Sequence, residues 1–159
     1  MSVLSYKILN DLKLEYDDFK LVPIRLDDRH AIRQWRNDQI SILRQSKPLT
    51  EKDQDNYFFE VVQKLFDQEF PSQLLFSLLY KGELIGYGGL VHIDWHSKNA
   101  EISFLTATER NKDELFVVDF KAFLKMILEM SFKHLNLIKV HTTVFDLPQR
   151  FLYLQVIRD

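Results

Sequence analysis

The chain contains no cysteine, which excludes disulfide frameworks, thiolate metal sites, iron–sulfur ligation and cysteine nucleophiles together. That absence fits a reducing compartment, so a cytoplasmic location is the expectation. No charge of one sign dominates: 21 Lys and Arg face 23 Asp and Glu, a formal net charge of −2. No global field therefore draws the protein toward nucleic acid or anionic lipid. Apolar runs are broken by charge within a few residues, far short of the roughly 20 that cross a bilayer. The start mixes Lys7, Asp11, Lys13, Glu15 and Asp17 with scattered leucines, unlike a signal peptide. Neither a nucleic-acid nor a membrane partner is expected.

Glycine and proline are scarce, four of each. Pro23, Pro48, Pro71 and Pro148 stand singly where elements should meet, whereas Gly82, Gly86, Gly88 and Gly89 cluster in one stretch. There is no repeat, low-complexity tract or linker. What is present, 159 residues with 46% hydrophobic and 28% charged, is the composition of one globular domain. A chain of this length buries roughly 70% of its unfolded surface and needs no metal or disulfide to hold a core.

Residues 1–20 carry a weak helical pattern, Leu4, Ile8, Leu9 and Leu12, and are expected to form a short helix or arm. Leu21–Arg25 reads as a strand. Asp27 can cap a helix running to Asn37, with Ile32 and Trp35 apolar beside Arg29, Arg33 and Arg36. Thr50 to Asp53 has the spacing of a capping box and opens a helix with Tyr57, Phe58, Val61, Val62 and Leu65 as its stripe. Leu74–Tyr80 and Leu84–Ile93 flank Lys81-Gly82, a hairpin signal. Glycines at 86, 88 and 89 then fall inside the second strand, which marks a bulge or a place where something approaches the backbone closely, and makes Gly88 a candidate ligand-contact position.

Ala100–Leu105 alternates so that one face carries Glu101. A long helix from Asp113 to Asn136 has Phe116, Phe120, Phe123, Leu124, Ile127, Met130 and Leu135 as its stripe, so its phenylalanines belong to the core. Leu137–Val144 alternates as a half-buried strand, and the strand–helix–strand unit implies parallel pairing with Ala100–Leu105. A final helix is expected after Pro148.

This element order, with Trp35-Arg36-Asn37, Pro48-Leu49-Thr50, Ile85-Gly86-Tyr87-Gly88-Gly89-Leu90 and Ala100-Glu101-Ile102-Ser103-Phe104, resembles the GNAT N-acetyltransferase superfamily. The branch it is similar to contains ribosomal-protein and nucleotide-aminosugar N-acetyltransferases. Leu135-Asn136-Leu137-Ile138-Lys139-Val140 resembles the family's entry to its fifth strand, and Phe145-Asp146-Leu147 with Leu152-Tyr153 the start of its last conserved helix. The resemblance spans about Leu21 to Tyr153. It implies an α/β (α+β) fold: a mixed sheet with antiparallel N-terminal strands and a parallel, splayed pair, flanked by helices. Residues 21–159 would form that single domain, shortened at its C-terminal end with the family's last strands missing. A homodimer could then cover the exposed sheet edge.

The resemblance also implies a chemistry. Acyl transfer from a thioester to an amine needs a deprotonated amine, a polarised carbonyl and a proton for the leaving thiolate. Glu101 resembles the glutamate that serves some members as base, and Tyr153 the helical tyrosine that protonates the thiolate. Phe104, Leu105 and Thr106 resemble the splayed strand end that holds the pantetheine and carbonyl of acetyl-CoA, the expected acyl donor. The family's glycine-containing diphosphate turn corresponds to Arg110, Asn111, Lys112 and Asp113, continuing to Leu115, so Asp113 and Leu115 stand where glycines are expected. An acidic side chain there repels a diphosphate, which Arg110 and Lys112 could offset.

For each residue a plainer role competes. Glu101 can lie on a solvated strand face and Tyr153 can be a packing aromatic. His92-x-Asp94-x-His96 is a weak metal pattern, and no metal is expected; His92, Asp94 and Trp95 are read as the lip of an acceptor pocket. Arg33, Trp35, Arg36 and Asn37 could contact a phosphorylated sugar nucleotide, or form a solvated helix face with Trp35 in the core. The expected activity is N-acetyl transfer from acetyl-CoA to a small-molecule primary amine, a nucleotide-linked aminosugar favoured, by direct attack without an acyl-enzyme. The alternative is a non-catalytic acyl-CoA-binding or protein-interaction domain of the same fold.

Overall fold

A seven-stranded sheet in the order β1 to β7 organises the computed structural model of the chain, which describes residues 5–43, 45–146 and 150–157, with side chains through residue 142. The strands are β1 (Leu14–Tyr16), β2 (Phe19–Pro23), β3 (Leu74–Tyr80), β4 (Glu83–Asp94), β5 (Asn99–Thr106), β6 (Lys139–Asp146) and β7 (Arg150–Ile157). All neighbours pair antiparallel except β5 and β6, which are parallel. The expected mixed sheet, antiparallel at its N-terminal side with one parallel pair, is present.

Local chemistry accounts for several elements. Lys81 and Gly82 both take positive φ, 50° and 83°, the two-residue turn whose twist suits a hairpin, and they join Tyr80 to Glu83. Helix α1 (Arg29–Asp38) buries Ile32 and Trp35. Thr50 and Asp53 form the anticipated reciprocal capping box at the start of α2 (Glu51–Tyr57), which continues through a π-turn (Phe58–Val62) into α3 (Gln63–Leu65). Helix α4 (Asp113–Glu129) buries Phe120, Phe123, Met126 and Ile127.

The helices lie on opposite faces of the sheet. Phe104 of β5 meets Phe116, Phe120 and Phe123 of α4 at centroid distances of 5.9, 5.4 and 4.5 Å. On the other face, Arg36 of α1 donates to the hydroxyl of Tyr87 on β4 at 2.7 Å. Gly88, in register with Phe104, belongs to the α4 face. A Cβ there would collide with the Ser103 carbonyl and sit 3.0 Å from the Phe123 ring. Close approach of α4 to the sheet therefore requires glycine at this position.

The structure departs from expectation at both ends. The apolar spacing of Ile8, Leu9 and Leu12 gives only a 3₁₀ turn (Lys7–Leu9), because Asn10 and Asp11 adopt positive φ of 48° and 61° and stop the helix. Residues 14–23 are a β1–β2 hairpin in which Leu14, Phe19 and Leu21 are buried. The second strand thus starts at Phe19, two residues before the expected Leu21. Tyr6 anchors the preceding segment: its buried hydroxyl donates to the Leu75 carbonyl at 2.7 Å and accepts from the Leu75 N–H at 2.9 Å.

At the other end, the expected final helix containing Tyr153 is instead β7. It pairs antiparallel with β6 from Lys139↔Ile157 to Asp146↔Arg150. The run Phe151 to Ile157 is rich in aromatic and branched residues that favour strand, and an unpaired β6 edge would leave a row of open backbone groups. The expectation of missing strands beyond Leu137–Val144 is corrected accordingly, and the edge that suggested a dimer is covered within the chain. The expected turn at Leu147 and Pro148 lies outside the described residues.

Candidate active site

The parallel pair opens into a cleft. Pairing of β5 with β6 runs only from Asn99↔Lys139 through Ala100↔Val140 to Glu101↔His141, yet both strands continue for several residues. The next contact is made by a side chain, Thr142 Oγ1 donating to the Ile102 carbonyl at 3.0 Å. Beyond it β6 has left β5.

The direction of the β5 amides follows from register. Ala107 N–H donates to the Ile85 carbonyl at 2.8 Å, and β4 matches β5 one to one from Gly86↔Thr106 to Val91↔Glu101. Alternate residues of an antiparallel strand bond the same neighbour. Ser103 and Leu105 therefore bond β4, while the backbone N–H and C=O groups of Phe104 and Thr106 face the cleft. The Thr106 carbonyl accepts from Gln39 Nε2 at 2.9 Å, as that direction requires. Of the three β5 residues expected to meet the donor, Phe104 and Thr106 aim their amides at the cleft and Leu105 aims its amide away.

Glu101 stands at the vertex, its side chain 16% exposed, with His92 Nε2 3.6 Å from Oε2 and His141 in register beside it. His92 reaches this position because the β4–β5 register shifts between Val91 and Asp94 and His92 adopts a φ of 49°, a bulge that re-aims the side chain. The bulge also breaks the alternation that would align His92, Asp94 and His96. No group of three metal-binding side chains forms among the described residues. Asp94 accepts from the Ser97 N–H at 2.9 Å, which holds its carboxyl below the ordinary value. Trp95 donates its indole N–H to the Pro71 carbonyl at 2.9 Å and packs edge-on to Phe70. Asp94 and Trp95 thus brace the rim on which His92 sits.

The expected substrate residues of α1 are engaged inside the protein. Trp35 is buried. Asn37 clasps the backbone of Leu49, accepting from its N–H at 2.7 Å and donating to its carbonyl at 2.9 Å. Arg33 lies 3.7 Å from Glu51 and donates to the Leu49 carbonyl, and Arg36 binds Tyr87 and Gln45. Together they fasten α1 to the segment that leads into α2.

The turn between β5 and α4 is tied by its own side chains. Arg110 makes two bonds, 2.8 and 2.9 Å, to the carboxylate of Asp119, which is fully buried. The Arg110 guanidinium also lies 5.6 Å from the Tyr80 ring centroid. Its pKa is raised above the ordinary arginine value, chiefly by the Asp119 bond. Asn111 donates to Gln39 at 3.2 Å and Thr108 to Asp38 at 2.8 Å. Lys112 is the N-cap residue of α4 and supplies no side-chain cap, and Asp113 and Glu114 occupy its first turn. Both acids complement the positive end of the helix.

The sequence matches the acetyltransferase (GNAT) domain family over residues 21–148. The chain belongs to that family. Among solved structures, spermidine N-acetyltransferase of Vibrio cholerae in complex with CoA and spermine superposes with a TM-score of 0.67 at 18% identity, covering 81% of this chain and 72% of that one. A dodecameric form of the same enzyme in an intermediate state gives 0.64 at 18% identity, with 81% and 71% covered. A chimera of the Vibrio cholerae enzyme with hSSAT gives 0.65 at 17% identity, with 80% and 70% covered. At these identities the likeness is one of fold. No curated protein matches the sequence.

As a GNAT acetyltransferase the protein is an acyltransferase, and two of its site features escape sequence reading. Asp119 is an acid within the apolar stripe of α4, three residues from Phe116 and four from Phe123, a signal that marks a buried partner without naming Arg110. Gln39, which ties the Thr106 carbonyl to Asn111, carries no such signal. The side chain of Tyr153 lies outside the described residues; its backbone is in β7 opposite Thr143.

Proposed function

We propose that this GNAT acetyltransferase moves an acetyl group from acetyl-CoA to a primary amine in a ternary complex. The observation that carries the reading is the cleft itself: β5 and β6 part directly after Glu101, so a carboxylate and the cleft-facing amides of Phe104 and Thr106 border one opening. Glu101 accepts the proton of the attacking amine, directly or through water. A backbone N–H of β5 polarises the thioester carbonyl as negative charge develops on its oxygen. The amine nitrogen forms the new C–N bond, the C–S bond breaks, and the thiolate takes a proton from Tyr153, the role carried over from the family resemblance.

Within this reading the acceptor is an amine without a diphosphate. Arg33 lies 3.7 Å from Glu51 and donates to the Leu49 carbonyl, and Arg36 donates to Tyr87 and Gln45. The α1 guanidinium groups expected to meet a sugar nucleotide are thus already bonded. Spermidine, named as substrate of the Vibrio cholerae enzyme of similar fold, is the first polyamine for the screen.

The experiment measures acetyl-CoA-dependent acetylation of spermidine, a nucleotide-linked aminosugar and a peptide N-terminus. Activity is expected on a primary amine, with Glu101→Gln lowering kcat by about 10²- to 10⁴-fold and leaving acetyl-CoA affinity nearly unchanged. Full kcat in Glu101→Gln would remove that residue from the mechanism. A folded chain that acetylates none of the panel would favour the non-catalytic alternative.

A further inference from the structure

Residue 92 is a histidine where the backbone favours glycine. Val91 pairs with Glu101 and Asp94 with Asn99, so His92 and Ile93 together oppose Ala100 and form a bulge. In a bulge whose first residue has a positive φ, here 49° at His92, glycine is the usual occupant, because a Cβ crowds the left-handed conformation. The same strand holds Gly86, Gly88 and Gly89, and none of them stands at this position. The backbone thus argues against an imidazole, and a strained position of this kind points to a use for the side chain.

The surroundings supply that use. By alternation residue 92 would join Gly88 on the α4 face, but the bulge turns it to the opposite face, where its Nε2 lies 3.6 Å from Oε2 of Glu101. That separation is an ion-pair contact and too long for a hydrogen bond. The link is therefore one of charge, and it exists only while the imidazole is protonated. The Glu101 side chain is 16% exposed and that of His92 72%, so the histidine exchanges protons with water while it acts on an enclosed carboxylate that salt screens little.

We propose that His92 is a positioning residue for the acceptor, acting through Glu101: neutral, it leaves the carboxylate to the incoming ammonium ion, and protonated, it occupies that carboxylate and repels the ammonium. A primary amine reaches the site mostly as a cation, and two cations compete for one carboxylate. Acceptor binding is then coupled to the loss of one proton from His92 to water. The inference rests on the acetyltransferase reading above, with Glu101 beside the acceptor.

The other charged groups near the pair come from β4, the turn after it and β6. Asp94 and His96 follow the bulge, with the Asp94 carboxylate held by the Ser97 N–H, and Lys98 closes that turn. On β6, His141 is in register with Glu101 and Lys139 with Asn99. The segment leading into β3 contributes a neutral group, the Ser72 carbonyl, which accepts from the Ile93 N–H at 3.1 Å. Histidine is the side-chain type that changes charge near neutral pH, so His96 and His141 are the alternatives that the experiment must separate.

The test measures KM and kcat of the whole chain for the best amine of the panel above at about pH 5.5 and about pH 8, on either side of the histidine range. Each variant is compared with the parent at the same pH, so the amine's own titration cancels. Asn and Gly accept positive φ, and Lys81 and Lys98 do so in this fold at 50° and 58°, so His92→Asn, His92→Gly and His92→Lys should all fold. In His92→Asn and His92→Gly, KM should lie about five- to tenfold below the parent at the lower pH and within about twofold of it at the higher. His92→Lys, which keeps a positive charge throughout, should raise KM about tenfold at the higher pH and little at the lower, with kcat at the higher pH within about threefold of the parent in all three variants. His141→Asn and His96→Asn should keep the parent's pH dependence. A variant-to-parent KM ratio equal at the two pH values, or a pH dependence abolished in His141→Asn or His96→Asn instead, would overturn the inference and leave acetyl transfer standing. Acetylation of no amine by a folded chain would overturn the acetyltransferase reading and this inference with it.

Discussion

Replacing Arg110 by Met isolates the ion pair that fixes the turn before α4. Asp119 is fully buried, and its two carboxylate oxygens accept from Arg110 at 2.8 and 2.9 Å. Arg110→Met leaves that carboxylate with neither water nor a counter-charge, a situation that costs about 3–5 kcal/mol. The reverse change, Asp119→Leu, is milder, about 1–3 kcal/mol, because the Arg110 side chain is 20% exposed and can turn toward solvent. In Arg110→Met/Asp119→Leu both charges are gone and apolar atoms fill the space. The double variant should return to within about 1 kcal/mol of the parent, since buried pairs are often matched by packed apolar groups. Urea unfolding of the four proteins closes a double-mutant cycle whose coupling energy should be at least about 2 kcal/mol. A loss below about 1 kcal/mol in Arg110→Met, or a double variant as unstable as that single one, would refute the account of the turn as tied by a buried charge.

Three further outcomes are expected. Tyr6→Phe removes a hydroxyl that satisfies both the N–H and the carbonyl of Leu75, and should cost about 1–3 kcal/mol in chemical denaturation. Burial holds the Tyr6 pKa above its ordinary value, so the neutral phenol is favoured in the fold. Its contribution is complete below about pH 10, the unfolded value, and is lost as pH rises toward the folded one. Stability between pH 9 and 11 should therefore fall less steeply in Tyr6→Phe, and equal slopes would contradict this. Asn37→Leu should cost about 1–3 kcal/mol through the two orphaned groups of Leu49; a thermal scan unchanged by the substitution would show that the clasp is idle. Gly88→Ala drives a methyl into the Ser103 carbonyl and the Phe123 ring, and a loss of about 1–3 kcal/mol or more is expected, with unaltered solubility and melting counting against it.

The sequence alone determined those parts whose causes are local. An apolar run and turn residues marked β3, the Lys81-Gly82 hairpin and β4; the Thr50/Asp53 spacing marked the start of α2; phenylalanines at helical spacing marked the core face of α4. Glu101 could be placed on a strand face from alternation, and its proximity to a cofactor edge came from the family resemblance. The tertiary structure decided the rest. Ile8, Leu9 and Leu12 suit a helix by spacing, but the hairpin that follows is selected by pairing of β2 with β3, residues more than fifty positions away. Leu152 to Val156 became strand because the edge of β6 lies beside it. Arg110 reads in the chain as a cation that could meet a diphosphate, yet across the turn it meets the buried carboxylate of Asp119. The common reason is that hydrogen-bond and charge partners distant in sequence set which of several locally acceptable conformations and pairings has the lowest free energy.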